Sequence, residues 1–243
     1  MDNLQTKTFK ATLNAPLFYS SSEGRTIQTR KTLSATALTY ALGYTQFDLS
    51  KVFVHTGSDY TESDYSPLKD LPFIVSDMTP IDVDADERTF RSTDYRSERH
   101  FSTQDGDVAS AIDSGAKGIP RLLGKSSEIA SWKTMREYLG LSPGSTFRFT
   151  LISKQTIPNN LRFRMGIKRT GEFSAEKKST SGTVTLNKYM LQQVYGLQDN
   201  TMQRIMKESG QFKRGNDVRL QHFEEVPIDR FESVAKKVLE NAG

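Results

Sequence analysis

Apolar and polar residues alternate along several short segments of this chain, as they do in half-buried β-strands. The alternation predicts strands over residues 7–19, 51–57, 71–78, 144–153 and 161–167, and a short one through Val218, Leu220 and His222. Residues 157–160 have the composition of a turn. We therefore expect the strands on either side of this turn to pair as a hairpin.

Other segments repeat apolar residues at helical spacing. Helices are predicted from a cap at Thr32 or Ser34 to a stop at Gly43, and over residues 127–139, 188–195, 199–207 and 228–240. This order of elements predicts an α+β domain that is ferredoxin-like or similar to an RNA-recognition motif, with an antiparallel sheet and helices on one face. We expect residues 1–243 to form a single domain, with residues 191–243 as a C-terminal extension.

Residues 81–128 show little periodicity, which predicts a long insertion. Within it, aromatic residues are interleaved with a basic set that comprises Arg88, Arg91, Arg96, Arg99 and His100. Such a mixture suits an arm that contacts a nucleic-acid backbone while its rings stack on unpaired bases. A solvated surface insertion is the alternative interpretation.

The strand at 161–167 continues into a basic loop bracketed by glycines. Alternation places Arg162 and Arg164 on one face and the apolar residues Leu161, Phe163 and Met165 on the other. The loop then runs from Gly166 through Lys168 and Arg169 to Gly171. Glycines allow close approach of a backbone to a ligand, so the segment is typical of a phosphate-binding loop; an ordinary exposed sheet face explains the arginine pair alone.

The charge distribution supports a polyanionic partner. Residues 145–190 contain nine basic residues against two acidic ones, a net charge of +7, whereas residues 48–87 contain two against ten, a net of −8. The overall charge of +4 therefore conceals a strongly dipolar sequence. A positive region suits nucleic acid, and a negative region limits indiscriminate binding or faces a basic partner.

Composition sets further limits. The 243 residues, 35% of them hydrophobic, are enough for a real core, and no apolar run has the length of a membrane span. We therefore expect a protein of the cytoplasm without membrane contact. The absence of cysteine excludes disulfides, thiolate zinc sites and cysteine nucleophiles.

Two other functions remain open at this point. Metal-independent RNA cleavage needs acid–base side chains, and His55, His100 and His222 are available, although no spacing between them demands a site. The acidic run from Asp82 to Glu87 lacks the pattern of a calcium loop, and solvated surface is the better interpretation. We expect no catalytic residue, metal or cofactor. The second alternative is a stand-alone RNA- or DNA-binding module.

Three stretches of the chain together resemble a known family. LFYSSSEGR and TALTYALG lie within residues 13–44, and the spacing R-x-G-x-x-x-x-G follows from Arg164 to Gly171. In this order and at these separations, they resemble the Cas-five-like subunit of type I-D CRISPR Cascade complexes, a member of the repeat-associated RNA-binding superfamily. The similarity spans roughly residues 8–178.

The resemblance implies a ferredoxin-like domain with a thumb at about residues 81–125. It implies a non-catalytic subunit that caps the 5′ handle of the guide crRNA and contacts the backbone and large subunits near the protospacer-adjacent motif (PAM) of the target DNA. The RNA-binding residues that follow from resemblance and charge are Tyr19, Ser20, Arg25, Arg30, Lys31, Arg162, Arg164, Gly166, Lys168, Arg169 and Gly171.

Overall fold

A computed structural model describes residues 4–18, 26–46, 65–91, 135–166, 170–180, 182–214 and 221–241. Its strands and helices are β1 Gln5–Leu13, β2 Thr26–Gln28, α1 Ala35–Gln46, β3 Phe73–Val75, β4 Thr79–Asp82, β5 Ala85–Arg91, β6 Met135–Leu141, β7 Thr146–Ser153, β8 Asn160–Met165, β9 Gly171–Lys178, β10 Thr183–Asn187, α2 Asp199–Glu208, β11 Gln211–Lys213, β12 His222–Pro227 and α3 Ile228–Asn241. The strand predicted at 51–57 lies outside the described residues.

An antiparallel sheet in the order β3-β7-β1-β9-β8, with β4 also pairing β7, forms the centre of the fold. The predicted strands at 144–153 and 161–167 are present, but the hairpin between them is wrong, because β1 and β9 lie between β7 and β8. The connection crosses the end of β1. There Lys7 Nζ donates to Asn159 Oδ1 at 2.9 Å, and Ile157 N donates to Gln5 Oε1 at 3.2 Å.

The main core lies on one face of this sheet. Phe9, Phe147, Phe149, Phe163 and Phe173 are fully buried there, and their rings meet across the strands in stacked and edge-to-face pairs. Helix α1 packs on the same side through further apolar residues, Leu38, Ala41 and Leu42. Large aromatic side chains on every second residue of neighbouring strands bury enough apolar area to fix the register.

Helix α1 begins at the predicted cap but continues beyond the predicted stop. Ser34 Oγ accepts a hydrogen bond from Thr36 N at 3.2 Å, which confirms the predicted cap, and Asp77 Oδ1 accepts one from Ala35 N at 2.6 Å. The predicted stop at Gly43 is wrong, since the helix continues to Gln46. Glycine inside a helix costs about 1 kcal/mol relative to alanine, and packing on the core offsets this cost.

Residues 182–214 and 221–241, called the C-terminal lobe below, form a three-stranded sheet in the order β10-β12-β11 with helices α2 and α3. The lobe has its own hydrophobic cluster, which includes Phe223 and Phe231. Ile74 and Ile152 of the main sheet belong to this cluster, so the lobe covers the face opposite α1 at the β3–β7 end. The helices predicted at 199–207 and 228–240 are confirmed as α2 and α3.

A third sheet, β2-β6-β5, includes two segments for which no strand is predicted. Residues 135–139 were expected in a helix, yet they lie in β6, which pairs with β5 along seven residue pairs and with β2 in parallel. Residues 81–91 were expected in a loop, yet they lie in β4 and β5 apart from a short connection. Pairing with partners distant in sequence satisfies the backbone of β6 and overrides its helical spacing.

Two shorter predicted segments lie partly or wholly in the described C-terminal lobe. The segment predicted as a helix at 188–195 is a single π-type turn, Met190–Val194. Of the short strand predicted through Val218, Leu220 and His222, only His222 lies in a described strand, as the first residue of β12; Val218 and Leu220 lie outside the described part. The α+β class and the antiparallel sheet are confirmed. In the described part of the chain, no helix combines the length and apolar character needed to cross a membrane.

Candidate nucleic-acid interface

Strand β8 presents alternate side chains to the core and to the surface, as predicted. Leu161, Phe163 and Met165 are buried in the main core. Arg162 and Arg164 are exposed on the opposite face of the sheet. The apolar half of the strand therefore anchors it, which holds the two guanidinium groups on a rigid surface.

The face around these arginines carries charges of both signs. Arg164 Nη2 lies 2.8 Å from Glu172 Oε2 on β9, and the two side chains are 63% and 40% exposed. Because both side chains are so exposed, this ion pair contributes only about 0–1 kcal/mol to stability. A phosphate can therefore replace Glu172 as the partner of Arg164 at little cost in free energy. Arg162 lies opposite Ser174 and makes no ion pair with the described residues. Lys10 of β1 lies on the same face, two strands away.

The turn after β8 is shaped by its glycines. Gly166 has a φ of +92°, a left-handed conformation that favours glycine. A Cβ at Gly166 would lie 2.5 Å from Leu17 Cδ1, and one at Gly171 would lie 2.6 Å from the same atom. The close approach that these glycines permit is therefore to the chain itself. Lys168 and Arg169 lie outside the described residues.

The segment Leu17–Phe18 runs between this turn and β6. Leu17 exchanges two backbone hydrogen bonds with Leu141, and Phe18 N donates to Thr170 Oγ1 at 3.3 Å. A Cβ at Gly140 would lie 2.6 Å from Leu17 O, so three glycines enclose the segment. Two predicted RNA-binding motifs thus meet at this point. Tyr19, Ser20 and Arg25 follow Leu17–Phe18 in sequence and lie outside the described residues.

Arg30 and Lys31 lie in a separate groove of about 440 Å³, called the basic groove below. Its other wall comes from the C-terminal lobe and carries Lys213 and Arg214. Gly140 and Leu141, which contact Leu17–Phe18, also line it. Sequence reasoning missed Lys213 and Arg214, although a Lys-Arg pair followed by a glycine occurs there as it does near residues 168–171.

A buried histidine–carboxylate pair contributes its histidine to the lining of the basic groove. His222 lines the groove, and its Nδ1 lies 2.7 Å from Asp77 Oδ2, with side chains that are 7% and 0% exposed. Burial alone would lower the pKa of His222, but the charge of Asp77 and the hydrogen bond to it outweigh burial and raise the pKa. The positive charge of Arg30 opposes this effect, and Glu224 assists it.

The predicted thumb is described only at its start. Arg88 and Arg91 lie in β5, at positions opposite Tyr138 and Met135 of β6. Arg96, Arg99 and His100 lie outside the described residues, as does His55. Among the residues that the structure describes, no group of three or more His, Asp or Glu side chains is arranged to hold a metal ion.

Comparisons with known proteins give one family. The family model for type I-D CRISPR-associated protein Cas5/Csc1 matches residues 4–216 of the chain. A search of curated proteins found no match. Among solved structures, the chain is similar to a chain in the cryo-EM structure of type III-B Cmr-beta in the apo state, with 10% sequence identity and a TM-score of 0.37. That similarity covers 72% of this chain and 98% of the other.

Proposed function

Because the chain belongs to the type I-D CRISPR-associated Cas5/Csc1 family, we propose that it caps the guide RNA of its CRISPR complex. The ligand is the repeat-derived 5′ handle of the crRNA, and the role is binding without catalysis. In such complexes base pairing reads the target sequence, so the protein needs only to hold the RNA and help to read a short flanking motif. The proposed place of action is the cytoplasm.

The observation that carries the proposal is the position of Arg162 and Arg164. They are exposed on β8, and Lys168 and Arg169 follow in the sequence between Gly166 and Gly171. Leu17–Phe18, which precedes residues 19–25 in the sequence, packs against both of these glycines. We therefore assign handle phosphates to Arg162, Arg164, Lys168 and Arg169, with Tyr19, Ser20 and Arg25 beside them. Gly166 and Gly171 contribute by shaping the turn.

The remaining partners are proposed on the same basis. Arg88, Arg91, Arg96, Arg99 and His100 belong to a thumb that reaches the neighbouring backbone subunit and nucleic acid. The large subunit and the PAM end of the target DNA lie next to the capped handle. The acidic residues Asp82, at the end of β4, and Asp84, just after it, are exposed and offer a face to a basic protein partner.

The handle assignment is tested by charge removal. Lys168→Ala combined with Arg169→Ala should weaken handle binding by the reconstituted complex and reduce its salt dependence by roughly 0.7 units of log–log slope for each phosphate that is no longer neutralised. The matched control is Arg204→Ala with Lys236→Ala, since both residues are exposed on helices of the C-terminal lobe. A slope equal to that of the control would refute the turn as a phosphate site.

Metal-independent RNA cleavage is the alternative, and His222 with its Asp77 partner is the observation that keeps it open. Purified protein is incubated with labelled repeat RNA in the presence of a chelator. Cleavage that disappears in His222→Gln would establish the nuclease. Intact RNA that is bound stably only with neighbouring subunits supports the cap, and tight binding of arbitrary RNA by the chain alone favours a general RNA-binding module.

A further inference from the structure

The basic groove joins residues that are far apart in the sequence. Arg30 and Lys31 precede α1, Lys213 and Arg214 lie at the end of β11, and His222 begins β12. From this arrangement we infer that the basic groove binds a phosphodiester group of an RNA strand, in addition to the sheet face around Arg162. The inference rests on the proposed function in that RNA is the ligand, and it gives the C-terminal lobe a direct binding role.

The charge of the groove favours an anion. Among the residues that the structure describes, four cationic side chains and the carboxylate of Glu224 line it, and the buried carboxylate of Asp77 is paired with His222. Lys213 Nζ lies 2.9 Å from Glu224 Oε1, which offsets part of this charge and fixes the position of the ammonium group. A phosphate that enters the groove meets several donors within one concave site, where the field of clustered cations is stronger than on a flat surface.

The imidazole of His222, which lines the groove, is held by a buried carboxylate. Asp77 is fully buried, and its second oxygen accepts a hydrogen bond from Ala35 N at 2.6 Å. The aspartate therefore fixes the orientation of the ring, as a carboxylate does for histidines that act through their other edge. The groups that face His222 are Asp77, Arg30 and Glu224, with Lys213 and Asn187 at the paired positions of β11 and β10.

A second groove, of about 520 Å³, lies on the other side of β11 and shares Arg214 with the basic groove. Phe212 lines it, and Lys188 Nζ is 5.7 Å from the centroid of that ring. Aromatic rings next to cations are typical of single-strand binding, in which bases stack while phosphates meet the charges. The two grooves share Arg214, so a strand that binds in one of them has the other next to it.

The experiment measures binding of a short fluorescein-labelled RNA oligonucleotide with the repeat-derived handle sequence to the reconstituted complex by fluorescence anisotropy at several salt concentrations. Lys213→Ala with Arg214→Ala should weaken binding and reduce the log–log salt slope by roughly 1.4, since each phosphate of a single strand that is neutralised contributes about 0.7. The control Arg204→Ala with Lys236→Ala removes the same charges from exposed helix positions and should leave the slope unchanged. Circular dichroism confirms that each variant is folded.

A second measurement uses pH. The wild-type complex should bind the oligonucleotide more tightly at about pH 6 than at a pH above the raised pKa of His222, because protonation of His222 adds a positive charge to the groove. His222→Gln keeps a side chain that can donate to Asp77 but carries no charge, so the difference between the two pH values should shrink. A pH difference that persists in full in His222→Gln overturns this part of the inference.

Failure of this inference is distinguishable from failure of the handle assignment. Arg162→Ala with Arg164→Ala tests the sheet face, whereas Lys213→Ala with Arg214→Ala tests the basic groove. If only the first pair changes the slope, the groove site is refuted while the sheet face stands. If only the second pair does, the groove stands and the sheet-face assignment is wrong. Displacement of the bound oligonucleotide by duplex DNA but not by unlabelled RNA would also overturn the inference.

Discussion

Asp77 connects elements that are distant from one another in the sequence. It lies between β3 and β4, accepts a hydrogen bond from the first residue of α1, and pairs with His222 of β12. Its own backbone N–H donates to Thr185 O in β10 at 2.9 Å. A fully buried carboxylate persists only when its partners satisfy it, so each of these contacts depends on the others.

Asp77→Ala should therefore destabilise the protein strongly. The change removes the acceptor for Ala35 N and leaves His222 buried without its counter-charge, and breaking a buried pair in this way costs about 3–5 kcal/mol. The measurement is the free energy of unfolding in urea. Asp70→Ala is the control, since Asp70 is exposed and such a change usually stays within about 0.5 kcal/mol. Equal effects for the two variants would contradict the prediction.

The same pair makes stability depend on pH. The Asp77 charge and hydrogen bond raise the pKa of His222 in the folded protein above its ordinary value of about 6.5. The stabilisation by protonated His222 is therefore fully present below about pH 6.5 and is lost as the pH rises through the folded pKa. Unfolding in urea at a series of pH values above 6.5 should show falling stability for the wild type. His222→Gln should flatten this dependence, and an unchanged slope would count against it.

At the scale of elements, the turn after β8 is held by packing as well as by its conformation. Gly166 and Gly144 have nearly equal φ angles, +92° and +91°, but their surroundings differ. A Cβ at Gly144 would meet nothing within 4 Å, whereas one at Gly166 would also lie 2.8 Å from Phe18 O. This pair of glycines separates the cost of conformation from the cost of steric overlap.

Gly144→Ala should cost about 1–2 kcal/mol for the left-handed conformation. Gly166→Ala should cost that amount plus about 1–3 kcal/mol for displacing Leu17–Phe18. Thermal unfolding of the two variants measures the difference. If the turn helps to bind the handle, Gly166→Ala should also weaken RNA binding while Gly144→Ala does not. Equal unfolding temperatures for the two variants would show that the packing at Leu17 adds nothing.

At the scale of the whole molecule, two hydrophobic clusters share the main sheet. Ile74 and Ile152 are the main-sheet residues within the cluster of the C-terminal lobe, while their neighbours in β3 and β7 face the main core. The two clusters lie on opposite faces of the same strands. A change that destabilises one cluster should therefore also destabilise the other. The +7 and −8 segments of the sequence are also brought together, since β7 pairs with β3 and β4.

Ile152→Ala should lower the stability of both clusters together. The deletion leaves a cavity under α3 and costs about 2–5 kcal/mol. Native-state hydrogen exchange should show reduced protection in β10 and β12 as well as in β1 and β9. The control Ile81→Ala removes an exposed side chain and should leave protection unchanged. A reduction confined to the C-terminal lobe would show that the two clusters unfold independently.

Properties that arise from neighbouring residues follow from the amino-acid sequence without knowledge of the fold. The alternation in β8, the amphipathic pattern of α2 and α3, and the Ser34 cap all depend on spacings of two to four residues, which the chain displays directly. The resemblance to the type I-D subunit also came from short motifs in a fixed order. These features were enough to place Arg162 and Arg164 on the exposed face.

Which distant residues meet was settled only when the chain folded. The spacing of β6 allows a helix, and only β2 and β5 as pairing partners make it a strand. The turn-like composition of residues 157–160 predicts a hairpin of β7 and β8, but β1 and β9 lie between these two strands in the sheet. Arg30 and Lys213 both line the basic groove, although they are far apart in the sequence. A spacing of two to four residues gives no information about such a distant pair. Side-chain periodicity is a local property, whereas strand pairing and burial are settled by competition among all the surfaces of the folded chain.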